Sequence, residues 1–488
     1  MSPASRLKPL LEPRSIAFVG ASNDPNKWGC IVLGNVLRGK FAGKIYPVNP
    51  HQKEILGLPA YATIADIPET PDLAAIVVPP NAIVDVIKDC LAKGIKAGLI
   101  ITAGLGEVGK EGKRLQDEAV RLARQGGMVL QGPNCNGVMN PRHKFYCTMP
   151  AIQPQPGPLA IVAQSGNVAG SVAGDIMAKG LGISYFVSSG NEADLHQEDF
   201  LEYLGDDEST KVIMSYVEGF RNGRRFLEVA KRVTKKKPIV MLKAGDTPAG
   251  AMAARSHTAS LAGSDIISEA AFKQAGIIRV ISLEEMLDFA SIFIRQPLPT
   301  GNRVGIITRG GGWGVLASDA CNRYGLELAT LSEQTLTELD KHLPPWWPRS
   351  NPVDMVAGLS KGDVTGKLLE ILLSRTEVDG VLALSLSATK PGAISAFDPL
   401  SGRGKDAARY EFEGFSTFLK EALKLVEQHR KPVVAVTSFT LASGESASQM
   451  ATLTRETQTL AYPSPLRAAA AFGALYRYAR YLRETAEE

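Results

Sequence analysis

Ser15-Ile16-Ala17-Phe18-Val19-Gly20, followed by Ala21-Ser22-Asn23-Asp24-Pro25-Asn26-Lys27-Trp28-Gly29, is a short apolar run that stops at a glycine and a patch of small polar residues. Without polar alternation, the run suits a strand buried on both faces, and such strands belong to parallel sheets covered by helices. The turn after Gly20 predicts a strand-to-helix crossing that offers backbone N–H groups to a phosphate, with a helix beginning near Pro25. The pattern repeats at KIYPVNP (44–50), LAAIVVPP (73–80), AGLIIT (97–102) and GMVLQGPN (127–134), with helix-length segments such as Asn81–Lys93 and Lys110–Gln125 between them. Successive βαβ units follow, and with them a Rossmann-like first domain over residues 1–148.

A proline-rich stretch, Pro150 to Pro158, reads as a linker, since alternating prolines suit neither a helix nor an interior strand. A second series then begins: LAIVAQSGNVAG (159–170), ISYFVSSGNEAD (183–194), KVIMSYVEG (211–219), KPIVMLKAG (237–245) and GIIRVIS (276–282). It predicts a doubly wound domain over 149–298. Pro297–Gly301 marks another linker, and RVGIITRGGGWGV (303–315) restarts the pattern, continued by GVLALSLS, KPVVAVTS, LAYPS and a helical Pro465–Arg483 in a domain over 299–488. IVAQSGNVAG and IITRGGGWGV read as an approximate internal repeat of strand, turn and small-residue helix.

Composition narrows the function. A chain of 488 residues with net charge +4 and no Lys/Arg blocks gives nucleic acid no obvious purchase. Five scattered cysteines without CxxC spacing fit neither a disulfide framework nor a zinc site, so no metal is expected on this chain and a cytoplasmic location is. No apolar run reaches the roughly 18 residues that span a bilayer.

The strand ends of the first domain carry the first chemical signal. GxGxxG is absent, and the second strand ends in Val48-Asn49-Pro50 rather than the acidic residue an NAD ribose requires, which disfavours a nicotinamide-dependent oxidoreductase. The other ends, Val78-Pro79-Pro80, Thr102-Ala103-Gly104 and Asn134, fall on the carboxyl edge where open α/β sheets bind ligands. Apolar and amide groups suit an adenine and pantetheine arm, and Lys27 or Lys53 can neutralise its phosphates.

The second signal is AARSHTASLAGSD (253–265), which sets His257 among small and hydroxylated residues. A histidine that accepts a phosphoryl group attacks through a neutral ring nitrogen, so a carboxylate on the other nitrogen fixes its tautomer. Glu218, closing a strand at a glycine, is the candidate. Phosphohistidine then needs donors, and two strand-to-helix turns supply them: Ser165-Gly166-Asn167 after Gln164, and Gly310-Gly311-Gly312 after Thr308-Arg309. Facing one another, the turns would clamp the phosphate from both sides.

LLEPRSIAFVGAS, YPVNP, VVPP, ITAG and GPNCNGVMN resemble the CoA-binding domain of the succinyl-CoA synthetase superfamily, in particular its ADP-forming acyl-CoA synthetase branch. SHTASLAG resembles that branch's phosphohistidine loop SHTGxLAG, with Ala259-Ser260 as a departure, and YVEG resembles its carboxylate segment. NPVDM (351–355), VDGVLAL and YPSPLRAAAA extend the likeness over nearly the whole chain, while Arg309 and Trp313 add bulk to the second turn. The resemblance implies a CoA-binding domain followed by two flavodoxin-like ligase domains, as in the α subunits of two-subunit enzymes. It further implies that Gly20, Ala21, Ser22, Val48, Asn49, Pro50, Val78, Pro79, Pro80, Thr102, Ala103 and Asn134 surround CoA, and that His257 relays phosphate between an acyl phosphate and ADP.

No GxxxxGK[ST] is present and no further domain follows Arg483, so ATP/ADP and Mg²⁺ are expected on a separate ATP-grasp β subunit, with α₂β₂ as the assembly. The substrate is expected to be a small carboxylic acid, its acyl group unread. The competing expectation is a CoA-binding regulatory or sensor protein, for which a phosphorylatable histidine between two anion-binding turns has no use.

Overall fold

The computed structural model describes residues 3–250, 252, 265–356, 364–385 and 404–486, and the chain divides into two compact units, Met1–Met286 and Leu287–Glu488. The first unit opens with a five-stranded, wholly parallel sheet. Its strands are β1 (Ser15–Val19), β2 (Lys44–Val48), β5 (Leu73–Ile76), β6 (Ala97–Ile100) and β7 (Val129–Gln131), in the order β2-β1-β5-β6-β7; a small hairpin of β3 (Glu54–Ile55) and β4 (Leu58–Pro59) lies apart. Ile16 and Phe18 pack into one apolar cluster and Ala17 and Val19 into another, which is why the run shows no alternation. The first crossing helix is Trp28–Arg38, so it begins three residues later than Pro25, with Lys27 in the cap position.

The second sheet has seven strands in the order β14-β13-β12-β10-β11-β8-β9. These are β8 (Gly137–Asn140), β9 (Phe145–Thr148), β10 (Pro156–Ala163), β11 (Ile183–Ser188), β12 (Val212–Val217), β13 (Ile239–Lys243) and β14 (Ile278–Val280). Two expectations are corrected here. The hairpin β8–β9, assigned by position to residues 1–148, is bonded antiparallel to β11 and extends the second sheet. Pro156 and Pro158, read as linker, belong to the interior strand β10; they occupy its first residues, and pairing with β12 starts only at Leu159, so no donor is missed. One apolar cluster runs from Ile16 and Phe18 through Val138 and Phe145 to Val187 and Ile213, so the two sheets share a core.

The second unit is built on β15 (Arg303–Thr308), β16 (Glu327–Leu328), β17 (Val353–Asp354), β18 (Gly380–Leu384) and β19 (Val433–Val436), all parallel, ordered β16-β15-β18-β19 with β17 also paired to β15. LAYPS forms no strand but a single bridge, Val436 to Tyr462. The terminal helix is Pro465–Ala486. From Leu287 the helix Leu283–Arg295 belongs to the second unit: buried Asp288 pairs with Arg467, and the Tyr462 hydroxyl donates to the Asp288 carbonyl at 2.9 Å. No helix among the described residues is long and apolar enough to cross a membrane.

Candidate functional site

All five turns expected around CoA lie on the carboxyl edge of the first sheet, and strand order reverses between β1 and β5, where such sheets bind ligands. Gly20 sits at φ +88°, and a Cβ there would fall 2.1 Å from the Val77 carbonyl oxygen, so only glycine makes this turn. The Asn49 amide donates to the Ala21 carbonyl at 2.8 Å and Thr102 Oγ1 donates to the Val78 carbonyl at 2.7 Å, tying neighbouring turns into one rim. Asn134, at φ +57°, donates its backbone N–H to the Thr102 carbonyl at 2.9 Å. Ala21, Ser22 and Val48 are buried; Pro50, Pro79 and Ala103 are exposed, as are Lys27 and Lys53, whose ammonium groups stand in solvent. Val78, Pro80 and Asn49 are half-buried. None of the twelve rim residues is acidic, which fits a polyanionic ligand with an apolar arm.

In the second sheet, β10 ends at Ala163 and the helix Gly166–Ala178 starts three residues later, with Ser165 as N-cap accepting the Val168 N–H at 3.4 Å. A Cβ on Gly166 would overlap the Asn136 side chain, so the exit from the first sheet lies directly on this helix start. Asn167 is exposed. Glu218 is 5 % exposed and stands at the end of β12. Gln164 fixes it there: its Oε1 accepts the N–H groups of Glu218 at 2.6 Å and Gly219 at 3.2 Å, and its Nε2 donates to the Gly219 carbonyl at 2.8 Å. The Tyr216 hydroxyl donates to Glu218 at 3.4 Å. One strand over, buried Lys243 has its ammonium pushed below the ordinary lysine range by burial, with Glu218 among the carboxylates that oppose the shift. His257 lies outside the described residues.

The second turn belongs to the other unit. β15 ends at Thr308, the helix Gly311–Arg323 follows with Gly310 as N-cap, and Thr308 Oγ1 accepts the Gly310 N–H at 3.2 Å. Pairing of β15 with β17 sets Asp354 beside it: a Cβ on Gly311 would lie 3.2 Å from Asp354 Oδ2. Burial pushes the Arg309 guanidinium below its ordinary range. Trp313 is 38 % exposed.

Three groups beside Glu218 were not named as candidates from sequence. Gln164 was read only as part of a turn, Lys243 only within the stretch KPIVMLKAG and Glu192 only within ISYFVSSGNEAD. Glu192 is buried, and burial pushes its carboxyl up to about 7 despite hydrogen bonds from Ser189 and Gln164. Ser189, not Glu192, holds the position after β11 that Gln164 holds after β10 and Glu218 after β12; only the hydrogen bonds from Ser189 and Gln164 bring Glu192 to the same edge.

Comparison with known proteins gives this geometry its place. The CoA binding domain family matches residues 14–141, the succinyl-CoA ligase like flavodoxin domain residues 156–293, and the ligase-CoA domain residues 304–368. The α subunit of acetate–CoA ligase (ADP-forming) II of Pyrococcus furiosus is 45 % identical over 380 residues, 78 % of this chain and 82 % of that protein. The acetate–CoA ligase (ADP-forming) of Methanocaldococcus jannaschii is 42 % identical over 359 residues, 74 % of this chain but 50 % of that protein. A dinucleotide forming acetyl-coenzyme A synthetase 1 of Ca. Korarchaeum cryptofilum, solved with phosphate and ADP, superimposes with a TM-score of 0.84 at 34 % identity, covering 99 % of this chain and 98 % of that one. Likeness on this scale extends far beyond a CoA-binding module and disfavours the sensor reading; the chain belongs to the α subunits of the ADP-forming acyl-CoA synthetases.

Proposed function

We propose that this subunit holds CoA on the carboxyl rim of its first sheet and carries phosphate on His257 to and from an ATP-grasp β subunit in an α₂β₂ assembly. The observation that carries the reading is Glu218, buried at the strand end and locked by Gln164, the residue that leads into the phosphate turn. A carboxylate so fixed can accept one imidazole N–H and leave the other nitrogen free to attack.

In the acyl-CoA-consuming direction, a phosphate oxygen attacks the thioester carbonyl, the C–S bond breaks, and CoA leaves as thiolate. The neutral nitrogen of His257 then attacks phosphorus, the P–O bond to the acyl group breaks, and a small carboxylate departs. Finally a terminal oxygen of ADP displaces the imidazole to give ATP. Mg²⁺ bound with the nucleotide on the partner would supply charge screening there, and no residue of this chain is assigned to hold it. Ser165, Gly166 and Asn167 seat the phosphate at a helix N-terminus, and Gly310, Gly311 and Gly312 form a seat of the same kind in the second unit. Keeping acyl phosphate bound protects it from water.

The P. furiosus relative supports a partner subunit, because it is named an α subunit and this chain covers 82 % of it. Five free cysteines, four of them buried, support a cytoplasmic setting. The test labels the reconstituted complex with [γ-³²P]ATP. Acid-labile label on wild type and none on His257→Ala is expected; label persisting on His257→Ala, or turnover by this chain alone, overturns the reading.

A further inference from the structure

We propose that Glu192 is a positioning residue of the phosphoryl-transfer site, holding the Glu218–Gly219 turn through Gln164 and tying that turn, through its neighbour Asn191, to the rim that receives CoA. The inference rests on the function proposed above.

The Gln164 amide has two N–H donors and two acceptor positions. Its oxygen takes the N–H groups of Glu218 and Gly219; one N–H goes to the Gly219 carbonyl and the other to Glu192 Oε2 at 3.0 Å. Every position is used. The amide keeps its oxygen toward Glu218 only while residue 192 supplies an acceptor; without one, a half-buried N–H loses its partner or the amide turns over and releases the Glu218 backbone. Glu192 is itself fixed by Ser189 Oγ, which donates to Oε1 at 2.7 Å and also reaches the Ala163 carbonyl at 3.3 Å. A protonated Glu192 can therefore turn its O–H to Ser189, which then donates to Ala163, and the bond from Gln164 survives in either protonation state.

The loop that carries Glu192 is strained. Glu192 sits at φ +53°, a region residues with side chains avoid, and such outliers collect at functional sites. Gly190 precedes it at φ +63°, where a Cβ would lie 2.3 Å from the Pro133 carbonyl oxygen. That close approach lets the loop bond to the end of the first sheet, with the Asn191 N–H on the Pro133 carbonyl at 2.9 Å and the Ala193 N–H on the Gly132 carbonyl at 3.1 Å. Asn134, on the expected CoA rim, donates to Asn191 Oδ1 at 3.2 Å, and the Asn191 amide donates to Glu107. Glu107 accepts the N–H groups of Gly104 and Leu105, beside Thr102 and Ala103. Hydrogen bonds and one peptide link thus join the CoA rim to the carboxylate proposed to orient His257. Burial raises the Glu192 carboxyl to about 7, facing Ser189, Gln164, His196 and Glu198, so near neutrality it carries only part of a negative charge beside an incoming phosphate.

The test uses the full chain assembled with its nucleotide-bearing partner. Wild type is labelled from [γ-³²P]ATP and chased with CoA plus a panel of short carboxylic acids; label on wild type but not on His257→Ala, lost in the chase, establishes the relay independently. Glu192→Gln, which retains an acceptor for Gln164, is expected to discharge at nearly the wild-type rate. Glu192→Asp, too short to reach, and Glu192→Ala are expected to discharge on the order of 10- to 100-fold more slowly, with KM for CoA and acid little changed. Equal discharge in all three variants overturns the positioning role while the relay stands. Loss in Glu192→Gln equal to that in Glu192→Ala, with folding confirmed by circular dichroism, also overturns it.

Discussion

At the scale of single residues, the cost of burying a carboxylic acid should be measurable in Glu192. Its carboxyl is raised from an ordinary 4.5 to about 7, with burial as the main cause. A raised acid favours the fold while neutral, so its contribution is complete below about pH 4.5 and is lost as pH climbs through 7. Glutamine is neutral throughout. Glu192→Gln should therefore be more stable than wild type at pH 8, by about 3 kcal/mol at most, and within about 1 kcal/mol of it at pH 5, read from urea midpoints of the full chain. An equal gap at both values would mean the carboxyl titrates normally. Such a gain in stability would mark Glu192 as a residue kept for function at the expense of the fold. Glu218 could be anticipated from sequence because a carboxylate closing a buried strand at a glycine sits at a sheet edge whatever else the chain does. Glu192 could not, since a loop glutamate is ordinarily solvated and its burial depends on Gln164, 28 residues away, and on a loop held by residues 132–134.

Among elements, the turns decide what binds. Gly20→Val would put a side chain into the Val77 carbonyl and force a branched residue to φ +88°. Roughly 1–3 kcal/mol of backbone strain is expected together with loss of CoA binding, checked by calorimetric titration of the purified variant. The turn at Gly310–Gly312 behaves differently because the Asp354 carboxylate already lies beside the helix start and accepts the Val356 N–H at 2.8 Å. Asp354→Asn should cost about 0.3–1 kcal/mol in phosphate-free buffer through the lost charge–dipole interaction. Added inorganic phosphate should narrow the difference, and a gap that phosphate leaves unchanged would argue against anion binding at this turn. Elements with both faces buried were the legible ones: β1, β5, β6 and β10 to β13 stand where their apolar runs put them. The hairpin β8–β9 was misplaced because chain order suggested the first sheet, whereas the open edge it bonds belongs to β11. Pro156 and Pro158 masked the start of β10 because composition cannot reveal that pairing with β12 begins beyond them. The helix Leu283–Arg295 joins the second unit from Leu287, where Asp288 finds its partner at Arg467, a contact spanning 179 residues that no sequence pattern reveals.

For the whole molecule, the division into Met1–Met286 and Leu287–Glu488 makes a thermodynamic prediction. Each unit has its own apolar core, the first shared between two sheets and the second around Ile307, Leu368, Ala383 and Phe418, so unfolding need not be a single transition. The CoA rim, Gln164, Glu192 and Glu218 all lie in the first unit. A ligand that binds only folded protein stabilises what it binds, and CoA at a hundred times its Kd contributes about 2.7 kcal/mol. Differential scanning calorimetry of the full chain should therefore show CoA raising one transition by a few degrees and leaving the other in place. The same scan on Gly20→Val should lose the shift. A CoA-induced rise of both transitions by equal amounts would place the CoA site outside the first unit alone, and with it the hydrogen-bonded path from rim to Glu218 would lose its purpose. A shift confined to one transition would leave that path as the physical link between thioester and phosphate within a single core.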